Sequence, residues 1–463
     1  MDSSRLRSRL VEILRPEREA GREDPRQAAP PRLPSVEAAA AVLGAKRWRI
    51  DRADCLVVER VFADDVQHGL MAIGEYADAA RRSSSGLAAL GASAGGSSGS
   101  PDTDALSGQL FFDLETTGLA GGAGTYAFLV GLGFFDGRAF QTRQFFLADY
   151  ADERDVLRAV EEFVAPATGL VTFNGRTFDV PLIQTRYAMH RMRSPFDALP
   201  HVDMLHPARR LWRSRRDSSA DRTGWPGAVG DRGSPGYASC ALGARERAIL
   251  GFERIGDVPG AEIPGRYFDY VRRGDATPLV DVFEHNRFDL VSLAALTSLV
   301  LSMIEGGAPA TRNPRECLAL GRLFEQLGQA DRARACFAQA ARLAEAPWQD
   351  RDDDELARVE ALRHLAVRLR RERRHDEAAV LWEQIVEIDA GMPALTREAI
   401  EALAIHHEHR SGNLDAALAY ALRGFERDDD ERFREALRQR LARLRRKLSA
   451  RRASGPPPRP PSR

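Results

Sequence analysis

Five residues of this 463-residue chain, in three separate stretches, have the types and spacing to hold a cation and move a proton. Asp113 and Glu115 stand two apart in "FFDLETTGL", inside an apolar run suited to a buried strand. Side chains alternate faces along a strand, so both carboxylates share one face about 6–7 Å apart, while Leu114 takes the other. Acids survive in apolar surroundings only when neutralised, paired or bound to a cation, and hard ions such as Mg²⁺ prefer carboxylate oxygen. A lone DxE also arises by chance. Asp179, in "FNGRTFDVP", follows a strand-ending Asn174-Gly175 and falls in the first turn of a helix that Thr177 is placed to cap. The exposed amides and dipole of a helix start favour an acid there. The other reading brings Asp179 to the same cation from a neighbouring element. His285 and Asp289, in "EHNRFDLVSL", lie at i and i+4 on a helix that runs without Pro or Gly from Leu279 to Met303, hence on one face. They make either a simple hydrogen-bonded pair or a metal ligand with a general base, because histidine titrates closest to neutrality.

The elements that must position these groups read as a mixed sheet with helices, an α/β arrangement over residues 106–305. "QLFFDLETTG", "TYAFLVGLGFF" and "RAFQTRQFFLAD" are strands, the last two joined by the turn signal Asp136-Gly137 and therefore antiparallel. "ERDVLRAVEEFV" has helical spacing, "GLVTFNG" returns as a strand, "TFDVPLIQTRYAMHR" opens a helix and "PHVDMLH" gives a further strand. A polar insertion over 213–236, rich in Arg, Ser and Gly, interrupts this domain.

Before it, residues 1–52 read as a mostly disordered polar segment, 53–80 as a strand-containing segment with "ADCLVVERVF", and 81–105 as a Ser/Gly-rich linker. After it, residues 313–430 contain three stretches that each read as two helices around a polar turn. In the second helix of each, a small residue precedes an aromatic by four: Ala333 and Phe337, Ala378 and Trp382, Ala416 and Tyr420. This pairing lets helix hairpins stack and resembles tetratricopeptide repeats, with "WQDRDDDE" inserted after the first. Residues 431–463 read as a basic helix and a Pro/Arg-rich tail, either a solvated face or a holder of phosphate backbone.

Composition bounds the rest. Hydrophobic residues make up 43% of the chain and charged residues 29%, with a formal net charge of zero, so charge alone does not call for a nucleic-acid partner. The chain exceeds one hydrophobic core. No stretch approaches the roughly 18 consecutive apolar residues of a membrane span, and Met1 to Ala20 lacks the apolar core of a secretory signal, so a cytoplasmic protein is expected. Cys55, Cys240, Cys317 and Cys336 have no metal-ligand or disulfide-framework spacing and read as reduced packing residues.

The ordered set of DxE, N-x-x-x-F-D and H-x-x-x-D resembles the DEDD exonucleases of the ribonuclease H-like superfamily. More narrowly, "FFDLETTGL", "FNGRTFDVPLI", "HVDMLHPARRLW" and "EHNRFDLVSLAAL" resemble the YprB-type ribonuclease H-like domain, which helical repeats can follow. The resemblance covers about Leu106 to Met303 and implies a ribonuclease H-like fold and 3′–5′ exonuclease activity on DNA or RNA. It implies Asp113, Glu115, Asp179 and Asp289 as ligands of two Mg²⁺ or Mn²⁺ ions, and His285 as the group that orients or deprotonates the attacking water. His285 stands four residues before Asp289, the spacing of the tyrosine subgroup, whereas the histidine subgroup uses five; Glu284 at that position reads as a helix-surface acid. Asn174 and the backbone at Thr116 are expected to touch the terminal nucleotide, and Asp203 to support the ligands from behind or contact substrate, or else to be a strand-end turn residue. Two rivals are a catalytically weak nucleic-acid-binding scaffold acting through its repeats, and a nucleotide-sugar transferase using the DxE. The transferase needs neither of the other two motifs. Nucleic acid is the expected substrate, the repeats a site for a protein partner, and no membrane is involved.

Overall fold

A computed structural model describes residues 35–50, 53–82, 86–87, 90, 108–118, 124–212, 242–343, 351–388, 391–427 and 429–453. Residues 1–34, the expected insertion at 213–236, Cys240 and the tail from 454 lie outside the described residues, as does most of the expected linker.

Helix α1 (Val36–Leu43) and strands β1 (Lys46–Ile50) and β2 (Ala53–Phe62) come first, then the small hairpin β3 (Gln67–His68) and β4 (Met71–Ala72), and helix α2 (Ile73–Arg81). The polar N-terminal segment expected through residue 52 therefore holds a helix and a strand. Ser35 caps α1 through its hydroxyl, Gly44 closes it in the left-handed conformation, and β1 lays Trp48 edge-on against Phe145. Leu87 and Leu90, expected in the linker, are buried in the core.

The acids sit in β5 (Gln109–Thr116), which continues into β6 (Ala127–Asp136), β7 (Ala139–Phe146), α3 (Glu153–Val164), β8 (Gly169–Thr172), α4 (Asp179–Met189), β9 (His201–Asp203) and α5 (Leu205–Trp212). One seven-stranded sheet runs β1-β2-β7-β6-β5-β8-β9; its first four pairings are antiparallel, and β5-β8 and β8-β9 are parallel. This is the mixed sheet expected, extended by two N-terminal strands. Phe112 and Leu114 face a core shared with α3, while Phe111 faces the opposite side. Asp113 and Glu115 have the parity of Phe111 and so look toward that second layer.

That layer is built by α6 (Ile263–Arg273) and the 28-residue α7 (Leu279–Gly306), the latter crossing β5, β6 and β7. Among the described residues α7 alone is long and apolar enough to cross a membrane, yet most of that stretch is buried inside the protein. Its apolarity has a packing cause.

The remaining helices form antiparallel hairpins: α8 (Pro314–Gln326) with α9 (Ala330–Leu343), α10 (Arg351–Arg371) with α11 (His375–Ile388), and α12 (Pro393–His409) with α13 (Leu414–Arg427), followed by α14 (Glu431–Ala453). Ala333, Phe337, Ala378 and Trp382 are buried, and a Cβ on Gly321 would come within 2.5 Å of the Phe337 ring, so the first hairpin closes through a glycine. Tyr420 is only half-buried and stacks on His407. The acidic stretch expected as an insertion supplies the first turns of α10 from Arg351 onward. Part of the basic face of α14 turns inward: the buried Glu408 accepts hydrogen bonds from Arg440, Arg443 and Lys447, and those from Arg443 and Lys447 hold its carboxyl down at about 2. Cys55, Cys317 and Cys336 are free and buried.

Candidate metal centre

Strand β5 presents Asp113 opposite Gly131 and Glu115 opposite Leu129, and a bulge follows Glu115 before pairing resumes at Thr116. The bulge ends the regular ladder where the chain leaves the sheet. Above this end, α7 brings Asn286 over Asp113, its amide Nδ2 donating to Asp113 Oδ2 at 2.8 Å. Asn286 Oδ1 in turn accepts from Gln144 Nε2 at 3.0 Å. A Cβ on Gly131 would lie 2.2 Å from that Oδ1, so glycine on β6 is the space in which Asn286 fits.

One turn along α7, His285 Nε2 and Asp289 Oδ2 are 3.5 Å apart, facing Glu115. One ligand atom each from Glu115, His285 and Asp289 lies within 4.8 Å of the others. Asp179 enters from the start of α4, where Phe178 is the N-cap residue and no side chain caps the helix; Thr177 does not play the capping role expected of it. Asp113, Glu115, Thr116, Asp179, His285 and Asp289 thus line one cleft of about 480 Å³. Phe178, Pro181 and Leu182 wall it on one side, Ile263 and Pro264 on the other.

Asn174 and Asp203 are not among the residues lining this cleft. Asp203, buried at the end of β9, spends its carboxylate on backbone: Oδ1 accepts from Asn174 N at 2.8 Å and Leu205 N at 3.0 Å, and Oδ2 from Arg176 N at 3.1 Å. Asn174 adopts a left-handed φ of 66° there, a conformation asparagine tolerates better than most residues. Asp203 therefore fixes the turn that leads into α4 and delivers Asp179. These bonds are those of a strand-end turn residue that also supports the segment carrying Asp179.

The electrostatics match the crowding. Burial first, then Asp289, Glu115 and Asp179, push the Asp113 carboxyl well above its ordinary range, with Asn286 pulling the other way. Burial and the neighbouring Asp289 and Asp179 do the same to Glu115. Asp179 is raised to about 7 by burial, against the opposing pull of its own amide. Carboxylates packed this way ionise together only beside a cation.

Sequence reasoning missed the loop that follows π-helical Glu246–Leu250 and contains Gly251, Gly256 and Gly260. Its Arg254 is nearly buried, pairs with Glu246 and Asp289 through Nη2, and lies 3.4 Å from Asp257 through Nη1. Asp257 Oδ1 stands 2.7 Å from His285 Nδ1. No motif or periodicity marked either residue, and both arrive by loop conformation. Among the described residues Arg254 is the one cation paired with a cleft acid, Asp289, against four such acids. The donor set, carboxylate oxygens with one imidazole nitrogen converging on one point, fits a divalent ion of the Mg²⁺ or Mn²⁺ type.

Residues 110–301 match the RNase_H superfamily. Along 345 residues the chain is 30% identical to the uncharacterized protein YprB of Bacillus subtilis (strain 168), covering 73% of this chain and 75% of that protein. The chain belongs to the YprB family. The superfamily match spans strands β5–β9 of the seven-stranded sheet and holds the cleft residues Asp113, Glu115, Asp179, His285 and Asp289, and a helical region follows it. Membership of the superfamily points to nucleic-acid hydrolysis assisted by divalent ions.

Proposed function

We propose that this YprB-family protein is a 3′–5′ exonuclease that hydrolyses phosphodiester bonds of DNA or RNA with two Mg²⁺ or Mn²⁺ ions. The observation that carries the reading is the convergence of Asp113, Glu115, Asp179 and Asp289, from β5, α4 and α7, on one cleft with no cation but Arg254 beside them among the described residues. These four are the residues that would hold the ions. Bound there, divalent ions supply an activated water nucleophile and charge stabilisation on the scissile phosphate.

The chain's own residues do the positioning. A cleft of this volume takes one nucleotide more readily than a duplex, and its walls of Phe178, Leu182, Ile263 and Pro264 suit the face of an unpaired base. Such a site favours a strand end, which supports exonucleolytic over internal cleavage. Thr116, beside the bulge, is within the lining and available to the terminal nucleotide. The helical hairpins, read as tetratricopeptide-like, offer a surface for a protein partner, and the protein is read as working in the cytoplasm.

The test is degradation of 3′-labelled and 5′-labelled single-stranded DNA and RNA with Mg²⁺ or Mn²⁺. Wild type is expected to trim from the 3′ end, Asp113→Ala to lose at least a hundredfold in rate, and His285→Ala to be impaired. Binding of oligonucleotide with no cleavage under either metal would turn the reading to a scaffold that has kept the fold.

A further inference from the structure

His285 sits where a proton-transfer group is expected, yet its surroundings treat it as a ligand. Its Nδ1 is engaged from behind by Asp257 Oδ1 at 2.7 Å, a contact in which Nδ1–H donates to the carboxylate and the ring orientation is fixed. Arg254 Nη1 is 3.4 Å from the same nitrogen, too long to compete with that bond. This leaves the Nε2 lone pair directed at the carboxylates. Asp289 is treated the same way: Oδ1 is held from behind by Arg254, itself anchored on the buried Glu246, and Oδ2 is left facing inward. The inward atoms of the two residues are 3.5 Å apart, long for a hydrogen bond but suited to two donors that share one ion. Glu115 supplies a third donor within 4.8 Å.

We propose that His285 is a metal ligand, forming a Glu115/His285/Asp289 site in which Asp257 is the positioning residue that orients the imidazole. The inference deepens the nuclease reading and rests on it. It explains the four-residue spacing: i and i+4 on a helix put two donors on one face, one turn apart, which a five-residue spacing does not. Outer partners of this kind fix the ring orientation and basicity of a ligating histidine, and their removal typically costs about 10–100-fold in affinity. An imidazole nitrogen in an otherwise oxygen site also shifts preference toward Mn²⁺ over Mg²⁺, since the harder ion keeps to oxygen.

The experiment loads the full chain with Mn²⁺ and reads electron spin-echo modulation from ¹⁴N together with Mn²⁺ affinity by titration calorimetry. Wild type is expected to show imidazole ¹⁴N coupling to the ion. His285→Ala should abolish that signal and weaken Mn²⁺ by more than about tenfold, and Asp257→Ala should weaken it by about tenfold while circular dichroism stays native. Mg²⁺ affinity should change less in both variants. Bound Mn²⁺ without ¹⁴N coupling, or unchanged affinity in His285→Ala, overturns the ligand assignment while leaving the nuclease reading intact if Asp113→Ala still loses the ion. Absence of Mn²⁺ binding in wild type overturns both.

Discussion

At Asp179 the free energy of crowding becomes measurable, because its carboxyl titrates at about 7 in the folded protein and near 4 when unfolded. A folded acid with a raised pKa keeps its proton at pH values where the unfolded chain has released it, so the linkage runs against stability as pH climbs. The metal-free protein should therefore lose stability between about pH 4 and pH 7, by up to about 1.4 kcal/mol per pH unit per such group, and level off above. Asp113 and Glu115, displaced in the same direction, add to the loss. Thermal unfolding in excess chelator from pH 5 to pH 8.5 checks this: melting temperature should fall with rising pH, and Asp179→Asn should flatten the fall and raise the melting point at pH 8. Adding Mn²⁺ should restore more stability at pH 8 than at pH 5.5, because only the ionised cluster binds it well. An equal melting temperature across the range in chelator would mean that the acids are not desolvated together.

The elements set those distances, and one glycine governs the critical approach of α7 to β5. Asn286 is wholly buried between Gln144 and Asp113, and the missing side chain of Gly131 is the room it occupies. Gly131→Ala forces Asn286 and its helix turn away from the strand, which should cost about 1–3 kcal/mol by overpacking and move His285 and Asp289 relative to Glu115. Denaturant unfolding should show that loss, and Mn²⁺ affinity should fall by about tenfold or more although no ligand has been touched. Restoring Asn286→Ala in the Gly131→Ala background separates the two causes, since it relieves the clash but removes the Asp113 donor: stability should recover in part, metal affinity should not. The same helix shows what a sequence can disclose. Asp113, Glu115, Asp179, His285 and Asp289 were legible because the strand period and the helix turn fix their neighbours within each segment, and three such segments together resembled a known arrangement. Arg254 and Asp257 were not, because they reach α7 from a loop whose conformation no local period encodes. Asp203 was half legible: its place at a strand end could be read, but not that its three bonds serve the turn before Asp179. Strand β2 joined the sheet by the long-range pairing with β7 and β1 by pairing with β2, and a polar flanking composition concealed β1.

Across the whole molecule, α7 makes the sheet domain and the first helical hairpin parts of one core. A single buried cluster runs from Phe111 and Phe140 on the sheet through Leu290–Ile304 of α7 to Cys317, Phe324, Phe337 and Ala361 in the hairpins. At the joint, Trp212 Nε1 of α5 donates to Glu316 Oε1 of α8 at 2.8 Å, while Arg312 donates its backbone N to Oε2 at 2.7 Å and its guanidinium to Oε1 at 2.9 Å. Glu316 is completely buried, and a buried carboxylate is sustained by such donors. Glu316→Ala leaves the buried indole N–H of Trp212 unpaired and takes the Arg312 backbone amide's partner away, which should cost about 2–3 kcal/mol. Because the core is shared, that loss should appear in both regions at once. Calorimetry is expected to show one cooperative transition in wild type and one, lowered by a few degrees, in Glu316→Ala, with the metal-dependent increment in melting temperature carried by the same single peak. Two peaks, of which Mn²⁺ moves only the one belonging to the sheet domain, would show instead that the hairpins fold apart from the cleft and that the joint transmits nothing to it.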